Sequence, residues 1–150
     1  MNRHNIADGS SGWSNSSIIA AYKERISYDA NGNILKYLRH GADTTGMPQD
    51  MDSLGYKYNR DINGQLVNNR LNHVRDAITP GNYTIDIDNQ STANYGYDRI
   101  GNLISDAAEQ LDEVRWTVYD KINRIVKTNR SATVIDYGYD PGGNRTYKNK

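Results

Sequence analysis

Few side chains in this sequence have the types and spacing that catalysis or metal binding requires. The three histidines, His4, His40 and His73, are scattered along the chain, and none stands at the spacing of a metal site. Cysteine is absent, which excludes disulfides and thiolate ligands. No glycine-rich phosphate loop, nucleophile elbow or pair of carboxylates placed for acid–base work is recognisable. We therefore expect no catalytic residue, no cofactor and no metal site, and we do not expect an enzyme.

Two acidic segments have a superficial likeness to cation sites. Asp29-x-Asn31-x-Asn33 begins like a calcium-binding loop, but its glycine falls at loop position 4 instead of 6, and a histidine replaces the glutamate of position 12. Turn chemistry accounts for these three residues on its own. Asp86 and Asp88 are spaced to share a cation, but the polar stretch around them is typical of a solvated loop. Neither segment is taken as a metal site.

The elements that would position any site are built from a sequence with little apolar material. Hydrophobic residues make up 36% of the chain, and 12 tyrosines are present without one phenylalanine. Tyrosine supplies a large ring whose hydroxyl needs water or a hydrogen bond. This composition favours a sheet with one packed and one wet face, or the wall of a water-filled space, over a dense dry core. The mean hydropathy of −0.86 points the same way.

Charge and hydropathy exclude several kinds of partner. The 18 basic and 18 acidic residues give a formal net charge of +0, without the basic patch that nucleic-acid binding needs. No run of residues approaches the roughly 18 apolar residues of a membrane span. The first residues lack the apolar core of a secretion signal. We expect no nucleic acid and no membrane insertion, and export would need another route or a signal outside this sequence.

One short phrase recurs along the chain. It consists of Tyr-Asp, two variable positions, and a glycine or asparagine that is usually followed by asparagine or arginine. The residues of this repeat signature are Tyr28, Asp29, Gly32 and Asn33; Tyr97, Asp98, Gly101 and Asn102; Tyr119, Asp120 and Asn123; and Tyr139, Asp140, Gly143 and Asn144. A distorted copy begins at Tyr58-Asn59 and closes near 68–71. Steps of about 20 residues between the later copies indicate that one hairpin-sized unit was copied.

Each copy of the phrase predicts a β-hairpin turn. An aspartate at the first turn position can accept hydrogen bonds from backbone N–H groups further along the turn. Glycine adopts positive φ without steric cost, and asparagine is the next most tolerant residue. The phrase therefore fits a type I turn closed by a left-handed residue. We expect turns near 29–32, 59–69, 98–101, 120–123 and 140–143.

The residues around the turns predict strands. The pattern Tyr-x-Tyr before the phrase, as in Tyr137-Gly138-Tyr139, places both rings on one face of an extended chain. Short apolar runs follow the turns and read as return strands. The segment 105–113 is ambiguous, since its local propensity favours a helical turn before the strand-like residues that follow.

The domain organisation follows from the extent of the repeats. We expect a loose amino-terminal segment over 1–18, about five repeats over 19–147, and a short tail over 148–150. The expected fold class is all-β, with consecutive antiparallel hairpins that form an open, curved sheet. Each hairpin needs its neighbours to cover its edges and its tyrosine face.

The repeated phrase resembles the YD repeat of RHS (rearrangement hotspot) proteins. The segment 27–34 with Arg39-His40-Gly41, and the segments 95–106 and 116–119, are similar to RHS proteins of Bacteroidetes. The resemblance covers roughly 19–147. It implies a long β-sheet that spirals into a hollow shell, which in bacterial toxins of this kind encloses a variable carboxy-terminal toxin domain. Repeats of this family are not themselves catalytic.

The resemblance implies a structural role. The expected function is a non-catalytic repeat module in the encapsulating shell or surface scaffold of a large RHS-type polymorphic toxin or cell-surface protein, secreted or held at the cell surface. Its partners would be neighbouring repeats of a longer chain or an encapsulated toxin domain. About five repeats are too few to close a shell, and no autocleavage motif or toxin domain is present, so we expect a fragment. The alternative is a carbohydrate- or receptor-binding surface on the same strands, because aromatic faces stack on sugar rings.

Overall fold

The computed structural model describes residues 2–6, 13–18, 21–42, 48–81, 83, 86–128 and 132–150. These residues form twelve strands and no helix, which confirms the all-β class. The strands are β1 (Asn2–Ile6), β2 (Trp13–Ile18), β3 (Glu24–Tyr28), β4 (Ile34–His40), β5 (Asp50–Arg60), β6 (Leu66–Asp76), β7 (Tyr95–Tyr97), β8 (Leu103–Asp106), β9 (Leu111–Trp116), β10 (Ile122–Lys127), β11 (Thr133–Tyr139) and β12 (Arg145–Asn149). The described residues contain no candidate for a membrane-spanning helix.

The strands pair with their neighbours in sequence. β1 pairs with β2, a four-stranded sheet has the order β3-β4-β5-β6, and a six-stranded sheet has the order β12-β11-β10-β9-β8-β7. The registers within these sheets are antiparallel. Because adjacent strands are also consecutive in the chain, short turns suffice to connect them. Short apolar runs separated by turn residues produce this order.

The chain divides into two compact units. The first comprises 1–57 and 74–89, and the second comprises 58–73 and 90–150. Among the described residues, the first unit buries Ala21, Leu54 and Val74 with the polar Asp52 and Asp76, and the second buries Val114 with the polar Gln90 and Asn94. Both cores are small, as the low apolar content requires. The buried polar groups need hydrogen-bond partners inside the protein.

Two strand glycines make room for a side chain on the neighbouring strand. Gly138 lies opposite Tyr147 in the register of β11 and β12. A Cβ on Gly138 would collide with the Tyr147 ring, and a Cβ on Gly96 would collide with the side chain of its partner Ser105. An aromatic ring laid across a strand glycine shields the exposed backbone there. The side chain opposite on the adjacent strand thus explains why the middle residue of the Tyr-Gly-Tyr pattern is glycine.

Paired strands occupy parts of both terminal segments, the expected loose segment over 1–18 and the expected tail over 148–150. β1 and β2 lie within 1–18, where Arg3 stands opposite Ser17. At the other end, Lys148 of β12 stands opposite Tyr137, in the segment expected to be a tail. A sheet ladder is made by backbone groups. The absence of the repeated phrase from these segments therefore does not prevent strand pairing.

The ambiguous segment 105–113 contains a hairpin turn. β8 ends at Asp106 and β9 begins at Leu111, with 107–110 as the turn between them. The Gln110 N–H donates to the Ala107 carbonyl at 3.1 Å, and Gln110 has a φ of 53°. The Asp106 carboxylate accepts from the Glu109 N–H at 3.2 Å. The segment whose local propensity favours a helical turn thus forms a single reversal of the chain.

Candidate functional site

Five turns share one backbone arrangement. In each, the fourth residue donates its N–H to the carbonyl of the first, and the first donates its N–H to the carbonyl of the fifth. These turns span 29–33, 61–65, 98–102, 117–121 and 140–144. The fourth residue has positive φ in every case, and these residues are Gly32, Gly64, Gly101, Asp120 and Gly143. Three of these five turns, 29–33, 98–102 and 140–144, begin at the aspartate of the repeated phrase.

The side chain of the first turn residue fixes the first turn. Asp29 Oδ1 accepts from the N–H groups of Asn31 and Asn33, both at 2.9 Å. Its Oδ2 accepts from Asn33 Nδ2 at 2.8 Å. A short acceptor side chain at this position bonds to the backbone that follows it. The three residues that looked like the start of a calcium loop thus bond to one another within a turn.

The carboxylates of Asp98 and Asp140 occupy the same place in the third and fifth turns. Asp98 Oδ1 accepts three backbone N–H bonds of 2.8 to 3.0 Å. Desolvation raises the pKa of Asp98, but these bonds, led by the one from Asn102, outweigh it and hold the pKa below its usual value. The backbone and side-chain bonds from Asn144 are the main cause of the lowered pKa of Asp140. Both turns therefore favour the ionised carboxylate.

The second turn opens at Asp61. Its Oδ1 accepts from the N–H groups two and four residues on, at 2.9 and 2.8 Å, and Gly64 takes the left-handed position with a φ of 77°. Tyr58 and Asn59 lie inside β5. The prediction that Tyr58-Asn59 is the distorted Tyr-Asp pair is therefore wrong, although the turn itself falls within 59–69. The signal that would have found it is the aspartate three residues before a glycine, the spacing seen in the first turn.

The fourth turn opens at Thr117, three residues before the predicted start. Thr117 Oγ1 accepts from the N–H groups of Tyr119 and Lys121 at 3.3 and 3.2 Å. Asp120 occupies the left-handed position with a φ of 56°, and Asn123 lies in β10. The prediction of a turn at 120–123 is therefore wrong. A threonine hydroxyl can replace the aspartate carboxylate as acceptor, and aspartate tolerates the left-handed region better than most residues.

An aromatic residue directly precedes each of the last three turns and bonds back to an earlier strand. The bonds run from Tyr97 Oη to the Leu71 carbonyl at 3.0 Å, from Trp116 Nε1 to the Leu103 carbonyl at 2.8 Å, and from Tyr139 Oη to the Ile122 carbonyl at 2.7 Å. In the last two, the acceptor is the first strand residue after the preceding turn. We call these three bonds the aromatic clasps. They give the ring donors of half-buried side chains the partners that such groups need.

Asn94 is a buried residue that no sequence signal pointed to. Its Nδ2 donates to Asp106 Oδ1 at 2.9 Å, and its Oδ1 accepts from the Ala108 N–H at 2.7 Å. Its backbone N–H donates to the Asn72 carbonyl at 3.0 Å. Asn94 therefore joins β6 to the hairpin of β8 and β9. Asparagine is too frequent in this sequence for one such residue to stand out.

Three carboxylates meet in the first unit, and we call them the acidic cluster. One oxygen each of Asp52, Asp76 and Asp86 lies within 4.8 Å of the other two. Asp52 is completely buried; Arg39 binds its Oδ2, and its Oδ1 has no hydrogen-bond partner among the described residues. Desolvation raises the pKa of Asp86, and the negative charges of Asp88 and of the other two cluster members raise it further.

The acidic cluster changes the interpretation of 86–88. Asp88 is exposed, as a solvated loop requires, but Asp86 is half-buried against the two buried carboxylates. Nothing in the sequence relates Asp52 to Asp76 or Asp86, because they approach one another only when β5, β6 and the loop after β6 fold together. Sequence spacing alone could not have identified this group.

A cleft of about 760 Å³ lies in the second unit beside the fourth and fifth turns. Among its lining residues are Val118, Tyr119, Tyr137 and Tyr139. Tyr119 is 82% exposed. Trp116, which could have extended a row of exposed rings, is half-buried and committed to its clasp.

No family model, curated protein or solved structure matches this chain. A functional conclusion therefore rests on the five turns, the aromatic clasps, the acidic cluster and the cleft.

Proposed function

We propose that this chain is a non-catalytic structural module built from YD-type repeats, as in the encapsulating shell or surface scaffold of a large RHS-type protein that is secreted or displayed on a cell. The five equivalent turns carry the proposal. They connect strands whose order in space follows their order in the chain. A copied unit that contacts mainly its neighbours is the defining property of repeat proteins.

The aromatic clasps support this proposal. Two of them tie a hairpin to the residue that begins the return strand of the preceding hairpin. Each of these two hairpins is thus completed by a backbone acceptor from its neighbour. Tyr28, the equivalent residue before the first turn, is 57% exposed on the edge strand β3. In the proposed scaffold, a neighbouring repeat covers this tyrosine.

The exposed sheet edges provide the test. All residues of β3 and of β12 are exposed, and each strand is at the edge of its sheet. Edge strands with unpaired backbone groups recruit further strands. The isolated chain should therefore self-associate as its concentration rises, which size-exclusion chromatography with light scattering would measure. A stable monomer at all concentrations would contradict a module that depends on neighbouring repeats.

A matched pair of variants locates the associating surface. Ile26→Lys places a charge on β3, where Ile26 is 44% exposed, and charged side chains on edge strands oppose pairing. Ile100→Lys places the same charge in the third turn, where Ile100 is 79% exposed but lies outside the strands. We expect the first variant to weaken self-association and the second to leave it unchanged. Equal behaviour of the two variants would show that β3 is not the contact.

A second candidate function, binding of a carbohydrate or receptor, is favoured by the cleft beside the fourth and fifth turns. Several tyrosines line it, and Tyr119 presents most of its ring to solvent. Rings in such positions bind the apolar faces of sugars. A glycan array probed with the wild type and with Tyr119→Ala would test this candidate. Binding by the wild type that the variant loses would support a recognition surface over a purely structural one.

A further inference from the structure

The acidic cluster has ligand chemistry that the proposed scaffold role does not use. It lies in the first unit and involves none of the repeat-signature residues. Asp52 is on β5, Asp76 ends β6, and Asp86 follows in the loop. Three carboxylate oxygens within 4.8 Å of one another repel strongly when they are ionised, most of all where water is excluded. A cation placed among the three oxygens would relieve this repulsion.

The counter-charge present is incomplete. Arg39, which stands opposite Asp52 in the register of β4 and β5, binds Asp52 Oδ2. Among the described residues, three carboxylates face this one guanidinium, and the carboxylate of Asp88 adds to the same field. Burial of two of the three groups makes that imbalance costly.

One oxygen of the cluster is buried and unpartnered, which is the independent sign of a missing ligand. Asp52 is 0% exposed, and its Oδ1 has no hydrogen-bond partner among the described residues. A buried polar atom is almost always bonded in a native protein. With Oδ2 held by Arg39, Oδ1 is the oxygen of Asp52 that remains to accept a cation.

The carboxylate of Asp76 is held in place by backbone N–H groups. Asp76 Oδ1 accepts from the Ser53 N–H at 2.8 Å and from the Ile78 N–H at 3.1 Å, which fixes its orientation and leaves Oδ2 available. Bonds of this kind around a ligand set orient the ligands. Asp86 is half-buried, so an ion could exchange with solvent on its side.

We propose that Asp52, Asp76 and Asp86 bind one hard divalent cation, with Ca²⁺ as the expected ion. Carboxylate oxygens are the ligands that Ca²⁺ prefers, and ligands on opposite sides of Ca²⁺ are about 5 Å apart, so oxygens within 4.8 Å of one another fit around it. Water would complete the coordination. The ion fastens the loop at Asp86 to β5 and β6, and this role is independent of the scaffold function.

The test is a calorimetric titration of the full 150-residue chain with CaCl₂, and separately with MgCl₂, after removal of metal with a chelator. We expect one ion per chain and a higher melting temperature with the ion present, because a ligand that binds only the folded state stabilises it. Binding of Ca²⁺, with or without Mg²⁺, at one ion per chain supports the site. No binding of either ion at millimolar concentration overturns it.

Two variants with the same change in charge decide whether binding occurs at the cluster. Asp86→Asn removes a proposed ligand that makes no side-chain hydrogen bond to the described residues, so the fold should persist, and far-ultraviolet circular dichroism checks this. Asp88→Asn removes the neighbouring exposed charge. We expect Asp86→Asn to weaken Ca²⁺ binding at least about tenfold, since the charge and number of ligands set the affinity, and Asp88→Asn to change it far less. Unchanged binding by Asp86→Asn, or equal losses in both variants, would overturn the site.

Discussion

The third and fourth turns have the same backbone hydrogen bonds but different residues at the two positions that matter most. The third turn has Asp98 as acceptor and Gly101 in the left-handed place, and the fourth has Thr117 and Asp120. The left-handed residue has a φ of 108° in the third turn and 56° in the fourth. Residues with a Cβ reach the second value but not the first without large strain. Glycine is therefore required in one turn and dispensable in the other.

The hydrogen bonds to the acceptor side chain are also shorter in the third turn than in the fourth. The backbone N–H bonds to Asp98 are 2.8 to 3.0 Å long, whereas those to the Thr117 hydroxyl are 3.2 to 3.3 Å long. Hydrogen bonds to a charged acceptor are the shorter and stronger kind. The fourth turn keeps its shape with weaker local bonds, so its flanking strands and its clasp must contribute more. The comparison separates what the turn residues supply from what the surrounding sheet supplies.

The largest effect is expected from replacing the required glycine. Gly101→Val should lower the free energy of unfolding by about 2 to 3 kcal/mol, because a β-branched residue is strained at positive φ. Chemical denaturation monitored by circular dichroism would measure the loss. Unchanged stability would mean that Gly101 does not need its left-handed conformation.

The next effect concerns the clasp of the fifth turn. Tyr139→Phe keeps the ring but removes the donor to the Ile122 carbonyl, so we expect a loss of about 1 kcal/mol, as for other hydrogen bonds of half-buried groups. Tyr119→Phe makes the same change on a ring that is 82% exposed and should have almost no effect. Equal melting temperatures for the two variants would deny the clasp a role in stability.

A smaller effect of opposite sign is expected in the fourth turn. Asp120→Gly relieves the left-handed strain of a residue with a Cβ, and the greater freedom of glycine in the unfolded chain offsets part of the gain. We expect a net stabilisation of about 0.5 kcal/mol, measured by the same denaturation experiment. A clear destabilisation would show that the Asp120 side chain has a bonding role that outweighs its strain.

The smallest effect appears in the response to acid. The pKa of Asp98 is below its ordinary value of 3.8 in the folded protein, so its carboxylate stabilises the fold above that pH and loses this contribution as the pH falls through the lower folded pKa. Asp98→Thr copies the acceptor of the fourth turn. Its stability should be below that of the wild type at pH 7, and the difference should shrink near pH 3. A difference that is constant with pH would contradict the ionised acceptor.

Local physics explains which parts of this fold could be predicted from the sequence. The all-β class follows from short tyrosine-rich runs separated by turn residues. The structure places Asp29, Asp98 and Asp140 first in their turns, three residues before Gly32, Gly101 and Gly143. Acceptor and left-handed residue are both encoded within five positions there, so no distant contact is needed to recognise them.

The second and fourth turns show why the dipeptide Tyr-Asp is an imperfect marker. The physical requirement is an acceptor three residues before a left-handed residue, which Asp61 and Gly64 satisfy with an arginine in the position before the turn. In the fourth turn Tyr119-Asp120 imitates the marker while it occupies the third and fourth turn positions. Threonine is common in strands, so Thr117 could not be recognised as an acceptor from its neighbours alone.

The acidic cluster and Asn94 could not be predicted for a different reason. Their partners are distant in the chain, and they meet only through the pairing of strands and the course of the loops. No periodicity or motif in the sequence indicates contacts between residues so far apart in the chain. These buried polar groups are where the structure adds most to what the residues alone indicate.

The position of the clasps determines where a tandem duplication could lengthen this protein by a whole hairpin. An in-frame tandem duplication of 117–139 would put Tyr139 directly before the copied Thr117, which is the place that Trp116 holds now. The first copy of Tyr139 would still donate to the Ile122 carbonyl of its own copy. The second copy of Tyr139 would donate in the same way to the Ile122 carbonyl of the added hairpin. Recombination at this boundary could therefore lengthen the sheet by one hairpin without any compensating substitution.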